Sequence, residues 1–178
     1  MATELGIYFG IDVLDTLNFS PYIEELVENL FLTYRLGNEG ISLDTDIEEN
    51  IFVDIDRVVP LGLIINELVS NSLKHAFSGR DKGEIKIKLH KTEIKECKNE
   101  DSNSTAYALS ISDNGVGIPE NIDIEDLDSL GLQLVTTLVD QLDGELELKR
   151  NNGTEFTMRF TVTEKDNQVS APAPQLVE

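Results

Sequence analysis

The chain has 178 residues, 40% of them hydrophobic, so it is long enough for one domain with a substantial core and too short for two comfortable ones. Its 34 acidic and 14 basic residues give a formal net charge of −20, and such a surface repels a phosphate backbone, which argues against nucleic-acid binding. No apolar run approaches the ~20 residues of a membrane span, and the first residues lack the basic lead-in of a secretory signal, so we expect no membrane contact by this segment.

The first half of the chain predicts a short lead, a helix and two strands. Residues 1–16 form the lead, which we interpret as a linker or the end of a preceding dimerisation helix. In the stretch FSPYIEELVENLFLTYRL, Ser20 is the expected N-cap and Pro21 takes the first helical position, and Gly37 is expected to end the helix. The segments ISLDTDI and NIFVDI then read as two short strands around the turn residues 48–50.

The second half begins with a long helix, predicted from about Asp56 to Phe77. Two alternating strands follow, EIKIKLHK and YALSISD, joined by a charged loop that we expect to be disordered. This loop carries Cys97, the only cysteine, which cannot form an internal disulfide and fits a reducing, cytoplasmic setting. The helix LGLQLVTTLVDQL and the strands GELELKR and TEFTMRFTV, joined by a hairpin turn at Asn151–Gly153, complete the domain. The polar tail 165–178 is expected to be disordered.

Three helices against about six strands, grouped rather than strictly alternating, predict an α+β fold. We expect a two-layer α/β sandwich in which a mixed, mostly antiparallel sheet is covered on one face by three helices. A doubly wound parallel fold is disfavoured, because several neighbouring strands are joined by connections of hairpin length.

One side of the long helix carries a line of polar residues. At the α-helical period Glu67, Asn71 and Lys74 fall within one narrow sector, whereas the apolar residues of INELVSNSLKHAF project to the other side. Such a line of polar residues is either the solvent-exposed face of an ordinary surface helix or the polar wall of a binding site.

Two glycine-bearing segments follow that helix. ISDNGVGIP ends a strand with Asp113 and continues with Gly115 and Gly117. This pattern is either local turn chemistry or an acceptor for an amino group beside a backbone that a planar ligand can approach. Gly131 and Leu132 open the next helix, where uncovered N–H groups and the helix dipole favour phosphate, although a small residue beside an N-cap is the alternative. The segment between them, IPENIDIEDLD, is long enough for a flap.

In their order and spacing these segments resemble the ATP-binding domain of sensor histidine kinases. ELVSNSLKHAF resembles the N box, ISDNGVGIP the first glycine box, and SLGLQLV followed by GTEF the second glycine box and closing strand. The similarity makes residues 17–164 the ATP-binding catalytic domain and implies the Bergerat-type fold of the GHKL superfamily, shared with gyrase-type topoisomerases, mismatch-repair ATPases and large heat-shock chaperone ATPases. The first helix and the N box are most similar to the branch whose phosphoacceptor motif carries a His-Arg-x-Lys-Asn-Asn core.

The resemblance implies roles in binding ATP and Mg²⁺ for residues of the long helix. Asn71 would be the side-chain ligand of the magnesium ion, and Glu67 the catalytic residue that orients or polarises a metal-bound water. Lys74 and His75 would lie near the phosphates. A boundary role for His75 stays open, because it lies about 80° around the helix from Glu67.

The resemblance also assigns residues of the two glycine boxes and the last strand. Asp113 would accept a hydrogen bond from the adenine amino group, and Thr154 would join the water network beside the adenine. The adenine cleft would be lined by three residues of the first glycine box, Gly115, Gly117 and Ile118. The second glycine box would offer backbone N–H groups to the phosphates at Gly131 and Leu132.

A whole kinase also needs a phosphoacceptor histidine on a dimerisation helix, and the chain has only His75 and His90. His75 belongs to the N box and His90 ends a strand. We therefore expect the acceptor on the dimerisation and phosphoacceptor domain of the same kinase or on another chain, with a response regulator receiver domain downstream. Two functions stay open: transfer of the γ-phosphoryl group of ATP to that histidine, or a stand-alone nucleotide-gated interaction module such as an anti-sigma serine-kinase-like regulator.

Overall fold

The structure is a computed structural model that describes residues 16–34, 40–93, 104–119 and 129–163. In chain order its elements are β1 Thr16–Asn18, α1 Phe19–Tyr34, β2 Ile41–Ile47, β3 Phe52–Asp54, α2 Ile55–Asn71, a π-helical turn Ser72–Ala76, β4 Gly83–Thr92, β5 Ser104–Asp113, α3 Leu130–Gln141, β6 Glu145–Lys149 and β7 Thr154–Thr163. Within this part of the chain, no helix is long and apolar enough to cross a membrane. Five predicted features lie outside the described residues: the lead before Thr16, the helix end at Gly37, the loop around Cys97, most of the flap between Ile118 and Asp128, and the tail 165–178.

The main sheet has five strands in the order β2-β4-β5-β7-β6. β2 pairs with β4 in parallel, and the other three pairings are antiparallel. Along β4, Ile85, Ile87 and Leu89 are fully buried, whereas the intervening Lys86 and Lys88 reach solvent. Because side chains alternate between the two faces of a strand, one face of the sheet is covered and the other is open. The predicted α+β sandwich with a mixed, mostly antiparallel sheet is confirmed.

The three α-helices cover the buried face of this sheet. One hydrophobic cluster joins buried residues of all three helices to the alternating apolar residues of β4, β5, β7 and, at their margin, β6. Its fully buried members from helices and sheet include Ile23, Val27, Ile64, Ile65, Val135, Ile87 and Leu89. At about 25 cal/mol per Å² of apolar area removed from water, this shared core is the main favourable term that holds the helices on the sheet.

The strands β2 and β3 are neighbours in sequence but do not pair with each other. β2 joins the main sheet, whereas β3 pairs with β1 in a separate two-stranded sheet that the sequence did not predict. Three residues are too few to show a strand alternation, so β1 left no signal. The turn after β2 is held on β4, because Glu48 accepts a hydrogen bond from the Lys91 N–H at 2.9 Å. This bond is the main cause that lowers the pKa of the Glu48 carboxyl.

Ser20 does not cap α1 as the sequence suggested. The helix begins at Phe19, two residues before the expected Pro21, and Ser20 is buried in its first turn. Its hydroxyl donates to the carbonyl of Glu48 at 2.7 Å and accepts from the N–H of Ile51 at 3.3 Å. A capping serine would accept a hydrogen bond from an N–H of its own helix, whereas the Ser20 oxygen accepts from a distant segment of backbone. The hydroxyl fastens α1 to the connection between β2 and β3.

The long helix is confirmed, with one change near its end. Asp54 is its N-cap and accepts from the Arg57 N–H at 2.9 Å, so α2 starts one residue before the expected Asp56. From Ser72 to Ala76 the helix continues as a π-helical turn, and Phe77 is its C-cap. A π turn adds a residue to the turn, so the side chains after Asn71 no longer follow the α-helical period.

We expect Ser20→Ala to lower the free energy of unfolding by about 2 kcal/mol, because it leaves a partly buried C=O and a buried N–H without their partner. Thr33→Ala is the matched control in the same helix, since the Thr33 hydroxyl is exposed and donates only to the carbonyl of Asn29. That substitution should change the stability by less than about 0.5 kcal/mol. Chemical denaturation measures both variants, and equal losses would contradict the fastening role of Ser20.

Candidate functional site

A cleft of about 290 Å³ opens between the end of α2, the start of α3, the end of β5 and the start of β7. Its walls combine apolar side chains with a few convergent polar groups, which is the usual composition of a small-molecule site. The lining residues are Leu68, Asn71, Ser72, His75, Ala76, Asp113, Val116, Gly117, Ile118, Ser129, Leu132, Thr154 and Phe156. Seven of the residues predicted to bind a nucleotide are among them: Asn71, His75, Asp113, Gly117, Ile118, Leu132 and Thr154.

The carboxylate of Asp113 lies at the base of the cleft and is held by two hydrogen bonds. The N–H of Gly115 donates to Oδ1 at 3.0 Å, and the hydroxyl of Ser72 donates to Oδ2 at 2.9 Å. Asp113 ends β5 and is only 9% exposed, and in the β5–β7 pairing it stands directly opposite Thr154. A carboxylate offers about four lone-pair sites, so two remain for a ligand that donates hydrogen bonds.

The glycines of the segment after β5 allow close backbone contacts around the cleft. A Cβ at Gly115 would overlap the carbonyl of Ala76, and the next N–H, that of Val116, donates to the same carbonyl at 2.7 Å. Gly117 has a φ of 75°, a left-handed conformation that favours glycine. Gly115 does not line the cleft itself. It brings the loop that follows Asp113 against the π-helical turn.

The π-helical turn separates Lys74 from the other polar residues of the long helix. Nζ of Lys74 lies 5.1 Å from the centroid of the Tyr34 ring, in cation–π contact with the end of α1. Lys74 is not among the residues that line the cleft, whereas its neighbour His75 is. The expected line of Glu67, Asn71 and Lys74 therefore ends at Asn71, because the α-helical period ends there. Contact of Lys74 with phosphate stays a prediction.

Glu67 and Asn71 lie against the first turn of α3. A Cβ at Gly131 would lie 2.6 Å from Oε2 of Glu67 and 3.7 Å from Nδ2 of Asn71, so the missing side chain leaves room for both. Ser129 caps this helix and accepts from the N–H of Leu132 at 3.2 Å through its hydroxyl. The N–H groups of a first helical turn have no partner within the helix, and together with the helix dipole they favour anions.

The residues at this end of the cleft fit a magnesium ion that comes with a polyphosphate. Among the described residues, no three or more His, Cys, Asp and Glu side chains form a group that could hold a metal ion alone. Mg²⁺ keeps several waters and takes its remaining oxygens from one or two side chains and from substrate phosphates. The side-chain amide of Asn71, in the cleft beside Gly131, is the group that could serve as this side-chain ligand.

Several residues of the cleft were missed in the sequence. Leu68 and Phe156 belong to apolar patterns that predicted only a core, and Ala76 carries no chemical signal. Ser72 follows Asn71 directly and contacts Asp113, which is 41 residues away in the chain. A serine inside a helix is a weak signal that its hydroxyl has a partner elsewhere.

Comparisons with known proteins identify the family and agree with the fold. Residues 56–164 match the family described as "Histidine kinase-, DNA gyrase B-, and HSP90-like ATPase". The sensor histidine kinase PdtaS of Mycobacterium tuberculosis is 32% identical over 149 residues, which are 79% of this chain and 27% of that protein. The chain thus spans about a quarter of the length of this relative.

Two further proteins are similar over most of the described domain. The serine-protein kinase RsbW of Listeria innocua is 28% identical over 119 residues, which are 65% of this chain and 73% of that protein. The histidine kinase domain of a blue-light-activated histidine kinase from Erythrobacter litoralis has a TM-score of 0.69 at 23% identity, and the match covers 81% of this chain and 61% of that one. This structural likeness shows a shared fold.

We expect Gly115→Ala to lower the free energy of unfolding by at least about 2 kcal/mol, because the added methyl group overlaps the backbone of Ala76. Gly79→Ala is the control for the substitution itself. Gly79 has a φ of 74° but open space around the position of a Cβ, so its cost is the backbone strain alone, about 1 kcal/mol. Chemical denaturation compares the two. A smaller loss at Gly115 than at Gly79 would mean that the loop moves away from the π-helical turn without cost.

Proposed function

This chain belongs to the histidine kinase-, DNA gyrase B- and HSP90-like ATPase family, and on that premise we propose that it binds Mg·ATP in the cleft and transfers the γ-phosphoryl group to a histidine on a separate segment or chain. One observation carries the proposal. Asn71 of α2 lies in the cleft beside the first turn of α3, and the buried carboxylate of Asp113 lines the same cleft. The carboxylate suits an amino-bearing base, and the start of α3 suits phosphate.

The base-binding end relies on Asp113 and on apolar walls. Asp113 accepts a hydrogen bond from the adenine amino group, and Thr154, opposite it in the sheet, holds the neighbouring water. Ile118 and Gly117 form one wall of the adenine cleft, and Gly115 supports them from behind. Burial of a planar base between such groups supplies affinity, and the carboxylate supplies specificity.

The phosphate end relies on the first turn of α3 and on the polar residues of α2. Backbone N–H groups at Gly131 and Leu132 stabilise phosphate oxygens, and for Leu132 this means exchange of its present partner Ser129 for the ligand. Mg²⁺, when bound, neutralises part of the phosphate charge, with Asn71 as its protein ligand. Glu67 orients water at the transferred group, and His75 borders the phosphates. Phosphoryl transfer needs mainly such positioning and charge neutralisation.

The proposal includes partners and a location for the whole protein. The acceptor histidine lies on a dimerisation and phosphoacceptor domain with a His-Arg-x-Lys-Asn-Asn core, and a response regulator receiver domain takes the phosphoryl group next. His75 lines the nucleotide cleft and His90 pairs with Asp46 at 3.0 Å on the open face of the sheet, so neither fits the acceptor role. Because the reaction consumes ATP, we place it in the cytoplasm.

A second function has the support of one observation. The similarity to the serine-protein kinase RsbW extends over 73% of that relative's length. A stand-alone module of this kind transfers the phosphoryl group to a serine of a partner protein, and nucleotide controls its binding to the partner. The two functions share the nucleotide site and differ in the amino acid that is phosphorylated.

Isothermal calorimetry tests the shared nucleotide site. We expect the chain to bind ATP with a dissociation constant in the micromolar range or weaker, and Mg²⁺ to raise this affinity. In Asn71→Ala, Mg²⁺ should leave the ATP affinity within about twofold of its metal-free value, because the side-chain ligand is gone. Asn29→Ala, the same change on an exposed position of α1, is the control and should behave as the parent. A parent chain that binds no ATP at millimolar concentration would remove the proposal.

Labelling with γ-³²P-ATP separates the two functions. Alone, the chain should take up almost no label, because neither of its histidines fits the acceptor role. With a dimerisation and phosphoacceptor domain of a sensor kinase added, label should appear on that domain and be lost in acid, as phosphohistidine is. Acid-stable label on a serine of an added partner would favour the second function. Strong acid-labile label on His75 or His90 would contradict the proposed arrangement.

A further inference from the structure

Ser72 is a polar residue of the cleft to which the proposed function gives no task. It is the first residue of the π-helical turn, directly after Asn71, and it lines the same cleft as Asp113. Its hydroxyl donates to Oδ2 of Asp113 at 2.9 Å. The other oxygen of this carboxylate, Oδ1, is held by the N–H of Gly115, so both oxygens have a fixed protein donor.

The direction of this hydrogen bond determines what the pair can offer a ligand. A serine hydroxyl can donate only one hydrogen bond, and here it donates that bond to the carboxylate. The hydroxyl oxygen and the carboxylate therefore present only acceptors to the cleft. A ligand with an amino group at this place can donate hydrogen bonds to these acceptors. A ligand with a carbonyl group there would put one acceptor against two others, and an unpaired polar group in such a place costs free energy.

We infer that Ser72 is a positioning residue for Asp113, and that the Ser72–Asp113 pair makes the site select a 6-amino purine over a 6-oxo purine. The inference rests on the proposed function, because it takes Asp113 as the group that meets position 6 of the base. A 6-oxo purine could be accepted only if the hydroxyl left the carboxylate and donated to the ligand. That rearrangement would remove a hydrogen bond to a largely buried charge, and such bonds are among the stronger ones.

A purely structural role for Ser72 leads to a different expectation. The hydroxyl would then only tie the π-helical turn to the end of β5, and its loss would weaken the binding of all nucleotides by one common factor. If Ser72 acts through Asp113 on the base, its loss weakens the binding of 6-amino purines and leaves that of 6-oxo purines nearly unchanged. The ratio of the two affinities separates the roles.

The experiment is a calorimetric titration of parent, Ser72→Ala and Ser70→Ala with Mg·ATP and with Mg·inosine triphosphate, which carries a carbonyl at position 6. In Ser72→Ala the dissociation constant for ATP should rise about tenfold, while that for inosine triphosphate stays within about twofold. Ser70→Ala is the matched control. It removes a buried hydroxyl two residues earlier in the chain, where that hydroxyl donates only to the backbone carbonyl of Glu67, so both affinities should stay at the parent values.

Two further variants test whether Ser72 acts through Asp113. Ser72→Thr keeps the hydroxyl and should restore the parent's ratio of affinities. In the Asp113→Ala background, Ser72→Ala should add less than a twofold change in ATP affinity, because the group that it positions is gone. An unchanged ratio in Ser72→Ala, or an equal loss for both nucleotides, overturns the inference. If the parent binds ATP in these outcomes, the proposed function stands, whereas a parent that does not bind ATP overturns both.

Discussion

The two hydrogen bonds on the Asp113 carboxylate join the parts of the fold that form the cleft. One comes from Ser72 at the start of the π-helical turn, and the other comes from Gly115 in the loop after β5. They can exist together only because Gly115 has no side chain to keep its loop away from the carbonyl of Ala76. The helix and the sheet thus approach to backbone contact at one end of the sandwich. The cleft lies beside this contact, in the space that remains between the helices and the sheet.

With a net charge of −20, the chain would have to hold the proposed polyanionic substrate against its own electrostatic field. The geometry favours a local solution, because the first turn of α3 is open to an anion and Gly131 leaves room for polar side chains from α2. One of these, Glu67, is itself an acid beside the proposed phosphate site, and two like charges at short range repel each other. A divalent cation between them would turn this repulsion into attraction. The acidity of the site therefore gives the proposed magnesium ion a physical reason.

The elements that could be predicted are those with a local signal. The long helix, the alternating strands β4 and β5 and the hairpin before Thr154 were all visible as periodicity or turn residues. Strand partners were not, because pairing depends on residues far apart in the chain, and β2 lies beside β4 rather than beside β3. The same reason explains Ser20, whose hydroxyl binds backbone in the connection between β2 and β3. In the site, Glu67 and Asn71 both lie beside Gly131, as the α-helical period predicts. The period does not extend to Lys74, and the sequence carries no clear mark of the π-helical turn that ends it.

The pairing of Asp113 with Thr154 across β5 and β7 has a consequence for folding. A register shift of one residue between these strands would turn one of the two side chains toward the open face of the sheet, so the two would no longer lie opposite each other. A ligand that needs both therefore binds only molecules whose strands are in the native alignment. By mass action it draws misaligned chains back into the native population. The proposed nucleotide would then stabilise the native register of β5 and β7 as well as serve as a substrate.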